Sequence, residues 1–286
     1  QPVMQFTVYT CIMLVSWFGA KLIVVNQTMT TGQLMSLFTY TMQILMSLMM
    51  ISMIFVMTTM ARSSAERIVE VLDEKSALQD PKGTVLTEVE DGSICFDHVS
   101  FSYSDDKEKC VLRDISLTIR AGETIGIIGS TGSGKSSLVQ LIPRLYDADE
   151  GQVLVDGTDV KDYSLDTLRE KTGVVSQKSV LFKGTLRGNM RWGKQDASDE
   201  EIYQALDTAQ AREFVDSKGE GLDLCIDQGG RNLSGGQRQR LTIARALVRK
   251  PEILIMDDSA SALDYATDAR LRKAIRENTG DMTVFI

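Results

Sequence analysis

Gly129-Ser130-Thr131-Gly132-Ser133-Gly134-Lys135-Ser136 is the stretch on which the reading of this chain turns. It fits the pattern Gly-x-x-x-x-Gly-Lys-Ser/Thr, follows the apolar run Thr124–Ile128 and precedes a helical pattern over Ser137–Leu145. Strand, glycine loop and helix in that order make a cradle for a polyphosphate. The glycines let backbone N–H groups wrap the anion, and the helix adds the positive end of its dipole. Lys135 reaches the β- and γ-phosphates, the Ser136 hydroxyl is placed to ligate Mg²⁺, and Ser137, which opens the helix beside them, is expected to belong to the same ATP-binding set.

Downstream, Ile253-Leu254-Ile255-Met256-Asp257-Asp258 is an apolar run ending in two carboxylates. A parallel strand buried on both faces has this composition. Its C-terminal end would bring Asp257 beside the phosphate loop as a second Mg²⁺ ligand. Between the two lies Leu233-Ser234-Gly235-Gly236-Gln237, opening a helical pattern that runs to about Lys250. A Ser-Gly-Gly helix start is a further anion-binding end. One phosphate does not need two such ends from one chain, so the pair points to a nucleotide held between two subunits. Upstream, short β-type runs at Ser93–Phe101 and Val111–Ile119 are separated by turn-formers at Asp105-Asp106 and Ala121-Gly122-Glu123.

The first sixty-one residues have a different composition. They hold one ionisable charge, Lys21, while residues 62–286 carry a net charge of −9. Eleven of the fourteen methionines lie in the first sixty positions. Val3–Val25 and Leu34–Ala61 are both long enough for helices that span a bilayer, which takes about 20 apolar residues. Arg62 and Arg67 follow the second run and put that end in the cytoplasm. Residues 62–79 keep a helical spacing, so the second helix is expected to continue there and to stop at Asp80-Pro81-Lys82-Gly83. On this helix Ser36, Tyr40, Gln43, Ser47 and Thr58 fall within about 60° of one another. Met35, Met42, Met46, Met49, Met53, Met57 and Met60 share a neighbouring face about 80° wide. These stripes suit either a cavity wall for varied apolar cargo or helix–helix packing.

The acidic balance argues against nucleic acid as a partner. Cys11, Cys95, Cys110 and Cys225 form no metal-type cluster, and the single histidine, His98, leaves no room for a histidine-based metal site or a Ser/His/Asp triad. The terminal run Met282–Ile286 reads as the middle of a buried strand, and the chain is expected to be a piece of a longer polypeptide.

These motifs, in this order, resemble those of ATP-binding cassette (ABC) transporters, specifically exporters whose membrane and ATPase parts share one polypeptide. The resemblance covers the whole chain: the last two of six membrane helices, then most of the nucleotide-binding domain. It implies that Tyr103, in Phe101-Ser102-Tyr103, is the A-loop aromatic that stacks on adenine. It makes residues 129–136 the Walker A motif and Gln177, in Val175-Ser176-Gln177, the Q-loop glutamine that touches Mg²⁺. Ser234–Gln237 become the signature motif acting on the partner's nucleotide, Asp257 the Walker B aspartate, and Ser261-Ala262-Leu263-Asp264 the D-loop. The family usually carries a glutamate after the Walker B aspartate to orient and deprotonate the attacking water. Here the residue is Asp258, one methylene shorter. In the family that change is typical of heterodimers in which one ATP site hydrolyses poorly.

The expected fold is an α/β P-loop NTPase domain with a helical subdomain, preceded by an all-α transmembrane hairpin. The expected domains are residues 1–61, two membrane helices; residues 62–91, a cytosolic helix extension and linker; and residues 92–286, the nucleotide-binding domain. The expected function is ATP-driven export by one half of a dimeric transporter in the cell membrane, with ATP and Mg²⁺ as cofactors. The expected partners are a second half-transporter, preferably a different chain, membrane lipid, and a small-molecule, lipid or peptide cargo. Two other readings stand beside it: an ATP-gated regulator that does not hydrolyse, and a soluble chromosome-maintenance type of ABC ATPase. The latter inserts long coiled coils between Walker A and signature, whereas here Lys135 and Ser234 are only 99 residues apart.

Overall fold

The computed structural model describes residues 2–25, 27–76, 78–81, 88–104, 109–258 and 263–286. The chain divides into two units, Gln1–Ser76 and Ala77–Ile286. The first is helical: α1 (Pro2–Val24) and α2 (Thr31–Asp73). Both are long and apolar enough to cross a membrane. Thr30 starts α2 through a capping box. Its hydroxyl accepts from the Gln33 N–H at 3.3 Å, and the Gln33 side chain accepts from the Thr30 N–H at 2.9 Å. The helices approach closely at Gly19, where a Cβ would stand 2.2 Å from Leu34 Cδ1. Leu34, Phe38, Thr41 and Leu45 are the half-buried positions of α2. All seven methionines of the expected Met face are exposed. Within the polar stripe, Ser36, Ser47 and Thr58 donate to the carbonyls of Gly32, Gln43 and Ile54.

The helix α2 ends at Asp73 rather than near residue 79, and Glu74 turns to extended backbone. Its last turn carries no basic residue, so Asp73 meets the negative end of the helix dipole uncompensated. Of the expected stop, Lys82 and Gly83 lie outside the described residues, as do the Asp105-Asp106 turn and Ser261-Ala262.

The second unit holds two four-stranded sheets and a helical layer. In the antiparallel sheet, β1 (Ile94–Phe101) lies between β2 (Leu112–Ile119) and β4 (Glu150–Val155), with β5 (Thr158–Asp159) at the edge. The parallel sheet runs β3 (Thr124–Ile125), β10 (Thr283–Phe285), β9 (Ile253–Met256), β6 (Thr172–Val175). The strand β9 is buried at every position. Ile253 and Ile255 face the core shared with the antiparallel sheet, and Leu254 and Met256 face the helical core. Alternation with both faces apolar is the pattern of a central parallel strand. The terminal run likewise forms β10, between β3 and β9.

The helices α3 (Lys135–Gln140) and α4 (Leu165–Lys171) belong to the first core. The helical layer contains α5 (Leu186–Arg191), α6 (Asp199–Thr208), α7 (Arg212–Ser217), α8 (Gly235–Leu247) and α9 (Tyr265–Asn278). A small hairpin of β7 (Gly184–Thr185) and β8 (Cys225–Ile226) accompanies it. The bounds of β3, α3 and α8 differ from the sequence reading. The strand β3 stops at Ile125, although the Ile127 N–H still donates to the Ile286 carbonyl at 2.8 Å. The helix α3 begins inside the glycine motif and ends at Gln140, followed by turns. The helix α8 ends at Leu247.

Candidate nucleotide site

The parallel sheet places the motif residues at one edge. The strands β3, β6 and β9 all deliver their following loops at their C-terminal ends, the side on which open α/β sheets bind ligands. The register of β6 on β9 pairs Val175 with Met256, and the Asp257 N–H donates to the Val175 carbonyl at 3.0 Å. Two residues further along each strand, Gln177 Nε2 donates to Asp258 Oδ2 at 2.8 Å. That bond follows from register, since equal offsets beyond a parallel pair arrive at equal height.

Two strand spacings, about 9.6 Å, separate β3 from β9. The glycine loop and the first turn of α3 cross this gap, and the Ser136 hydroxyl donates to Asp257 Oδ1 at 2.9 Å. Gly134, immediately before α3, has φ +89°, and a Cβ there would stand 3.0 Å from Leu112 Cδ2. Both the backbone angle and the space therefore call for glycine. Gly132 also has positive φ, and the Ser133 N–H donates to the Ser130 carbonyl, closing the turn that includes Thr131. Lys135 Nζ folds over this loop and donates to the Gly129 and Ser130 carbonyls at 2.8 and 2.9 Å. A cleft of about 410 Å³ opens here, with Ile128, Lys135, Asp257 and Asp258 in its lining. Asp258 has φ +49°, a left-handed conformation that aspartate tolerates better than most residues.

The Ser136 hydroxyl and the Asp257 carboxylate are adjacent hard oxygen donors. Mg²⁺ is commonly held by one or two protein oxygens, with substrate phosphates and water completing its shell, so this pair fits that ion. Among the described residues no three His, Cys, Asp or Glu side chains gather around a common point.

Tyr103 lies just beyond β1 with its hydroxyl 2.9 Å from Ser137 Oγ. Its ring is edge-on to Phe101 at 4.9 Å and 78°, and to Tyr146 at 5.1 Å and 88°. Tyr146 is a neighbour the sequence reading does not single out. It is a lone aromatic in the turn after α3, and no periodicity marks it.

Ser234 caps α8: its hydroxyl accepts from the Gln237 N–H at 3.3 Å, and Gln237 Oε1 accepts from the Ser234 N–H at 2.9 Å. Gly235 and Gly236 form the first turn. Among the described residues no hydrogen bond joins this helix start to the glycine loop. The link between α8 and the Gln177 loop is instead made by Ser179, which donates to Gln239. Asp264 caps α9, and the Thr267 N–H at 2.9 Å holds its carboxyl below the ordinary carboxylate range.

The family model for ABC transporters matches residues 112–261. The uncharacterized ABC transporter ATP-binding protein YfiB of Bacillus subtilis is 42% identical over 275 residues, covering 96% of this chain and 47% of that protein. The putative multidrug export ATP-binding/permease protein YgaD of Bacillus subtilis is 40% identical over 231 residues, 80% of this chain and 40% of that protein. The solved structure of a bacterial Atm1-family ABC exporter with ATP bound superposes with a TM-score of 0.83 at 30% identity, covering 99% of this chain and 50% of that one. The chain thus spans about half the length of the curated relatives it matches.

Proposed function

The chain belongs to the ABC transporter family as an exporter-type ATP-binding subunit, and on that premise we propose that it is one half of a membrane exporter driven by its own ATP site. The observation that carries this reading is the pair of hydrogen bonds at the strand ends, Ser136 to Asp257 and Gln177 to Asp258. They gather four motif residues from three separate segments beside Lys135. Lys135, freed from the Gly129 and Ser130 carbonyls, neutralises the β- and γ-phosphates, and the loop N–H groups cradle them. Ser136, Asp257 and Gln177 hold Mg²⁺, which when bound shields the charge that develops on the transferred phosphoryl group. Tyr103 supplies the stacking surface for the base. The helix start Ser234–Gln237 serves the nucleotide of a second half-transporter, whose own signature completes the site described here. ATP binding clamps the two nucleotide-binding domains together, and hydrolysis releases them.

Asp258 stands where the water-activating carboxylate belongs, and its shortness supports assignment as the weak-site half of a heterodimer. The same residue favours a second reading, a subunit that binds ATP as a signal without cleaving it. The helices α1 and α2 are read as spanning the cell membrane, and the second unit is read as cytoplasmic. The cargo is a small molecule, lipid or peptide, and nucleic acid is not a partner. In the complete transporter, Lys135→Ala is expected to weaken ATP binding and abolish turnover at this site. Wild-type affinity with normal turnover in that variant overturns the assignment. Normal binding with no hydrolysis at this site in the unaltered protein selects the regulatory reading.

A further inference from the structure

Tyr103 is 54% exposed, yet its ring is not free. Phe101 and Tyr146 meet it edge-on and lie 5.5 Å from each other, so the three rings form a closed triangle. The turn that carries Tyr146 is itself tied down. Buried Arg144 donates to Asp147 at 2.8 Å, Asp149 Oδ2 accepts from the Ser102 N–H at 2.7 Å, and the Asp149 N–H donates to the Ser100 carbonyl at 3.0 Å. At the other end of the ring, the Tyr103 hydroxyl pairs with Ser137, a buried residue in the first turn of α3, two positions after Lys135.

We infer that Tyr146 and Ser137 are positioning residues that hold Tyr103 ready for the base and tie it to the helix that carries the phosphate loop. This rests on the reading of Tyr103 as the base-stacking surface. A half-exposed tyrosine without such supports would have to be ordered as the nucleotide binds, at a cost in affinity. Here Tyr146 fixes the ring plane, and the Ser137 bond sets its distance from the phosphate helix. The consequence is specific: Tyr146, which stands off the phosphate loop, acts on recognition of the base and leaves recognition of the phosphates alone, whereas Ser137 lies in the first turn of the phosphate helix and joins the two.

The test compares ATP with inorganic tripolyphosphate, titrated into the full chain in detergent. Tyr146→Leu is expected to weaken ATP about three- to tenfold, the range an aromatic pair can supply, with tripolyphosphate affinity unchanged. Tyr146→Phe keeps the edge-on ring and should bind ATP as the unaltered chain does. Tyr103→Phe keeps the stack but loses the Ser137 bond, and should weaken ATP by a smaller factor. Equal weakening of both ligands in Tyr146→Leu would reduce Tyr146 to a structural residue and overturn the inference. So would wild-type ATP affinity in that variant, or tighter ATP binding by Tyr103→Phe, which would mean that the bond to Ser137 obstructs the nucleotide. Tyr103→Ala is the control. If it leaves ATP affinity unchanged, the base-stacking reading fails; if it weakens ATP while the Tyr146 variants do not, only the positioning role fails.

Discussion

At the scale of the residue, Asp258 carries the sharpest consequence. A carboxylate base must come within about 2.6–3.2 Å of the water it activates, directly or through a second water. Aspartate starts from the same backbone point as glutamate but reaches less far, and a displacement of order 1 Å can cost about 10²-fold in rate. The left-handed backbone at this position suits the shorter side chain. Its carboxylate is also engaged by Gln177. Asp258→Glu is therefore expected to raise hydrolysis at this site, by less than the full 10²-fold because the longer side chain must accept an unfavourable φ. Single-turnover hydrolysis in the complete transporter, with the partner's own site disabled, measures this. An unaltered rate in the variant removes the weak-site reading and leaves the exporter reading in place. The identities of the motif residues were legible because each chemistry needs a particular residue type at a particular spacing. The conformation of Asp258 was not, since residue type alone does not fix a backbone angle. Nor was the His98–Asp114 pair, 2.6 Å apart across β1 and β2, which raises the histidine pKa. It is set by two strand irregularities that interrupt the register.

At the scale of the element, α8 shows how a helix start can be altered without harming its own helix. The Ser234–Gln237 capping box satisfies two of the orphan backbone N–H groups. An aspartate at position 235 would sit in the first turn, where a negative charge is favourable to the helix by about 0.3–1 kcal/mol. Gly235→Asp should therefore leave the melting temperature unchanged or slightly raised. ATP binding to this chain's own glycine loop should persist. If the helix start faces a partner's γ-phosphate, the same carboxylate opposes it in a desolvated interface, and turnover of the assembled transporter falls steeply. Loss of ATP binding by this chain with turnover intact would contradict the sandwich arrangement. Elements with strong chemical signals were legible: β9 by its apolar run, α8 by its cap. Bounds set by tertiary competition were less so. The helix α3 begins at Lys135 because Gly134 supplies the positive φ that lets the loop enter the helix directly. It breaks after Gln140 into the turns that bring Tyr146 against Tyr103.

At the scale of the whole molecule, the change in composition after residue 61 and the division of the structure after Ser76 mark different things. Composition follows the solvent each segment is suited to, whereas α2 continues beyond its apolar part as a charged helix to Asp73. Arg62 and Arg67 stand at that transition, and their charge biases that end toward the cytoplasm. The linker between α1 and α2 carries no charge, and Lys21 in the last turn of α1 is the one cation of residues 1–61, outweighed by Arg62 and Arg67 at the other end. With two spanning helices, the linker and the C-terminal part of α2 must then lie on opposite sides. A cysteine placed at Thr28 in the complete protein, with Cys11, Cys95, Cys110 and Cys225 replaced, should react with a membrane-impermeant maleimide in intact cells. A cysteine at Ser63 should react only after the membrane is opened. This positional split tests membrane insertion separately from the nucleotide site, because a helical hairpin lying flat on the cytoplasmic surface would protect both positions from the reagent. Labelling of Ser63→Cys in intact cells would reverse the orientation and place the second unit, with its lysine and paired carboxylates, on the side of the membrane where ATP is scarce. That result would be incompatible with an ATP-driven exporter, whereas protection of both positions would leave the ATPase intact and withdraw only the membrane-spanning part of the reading.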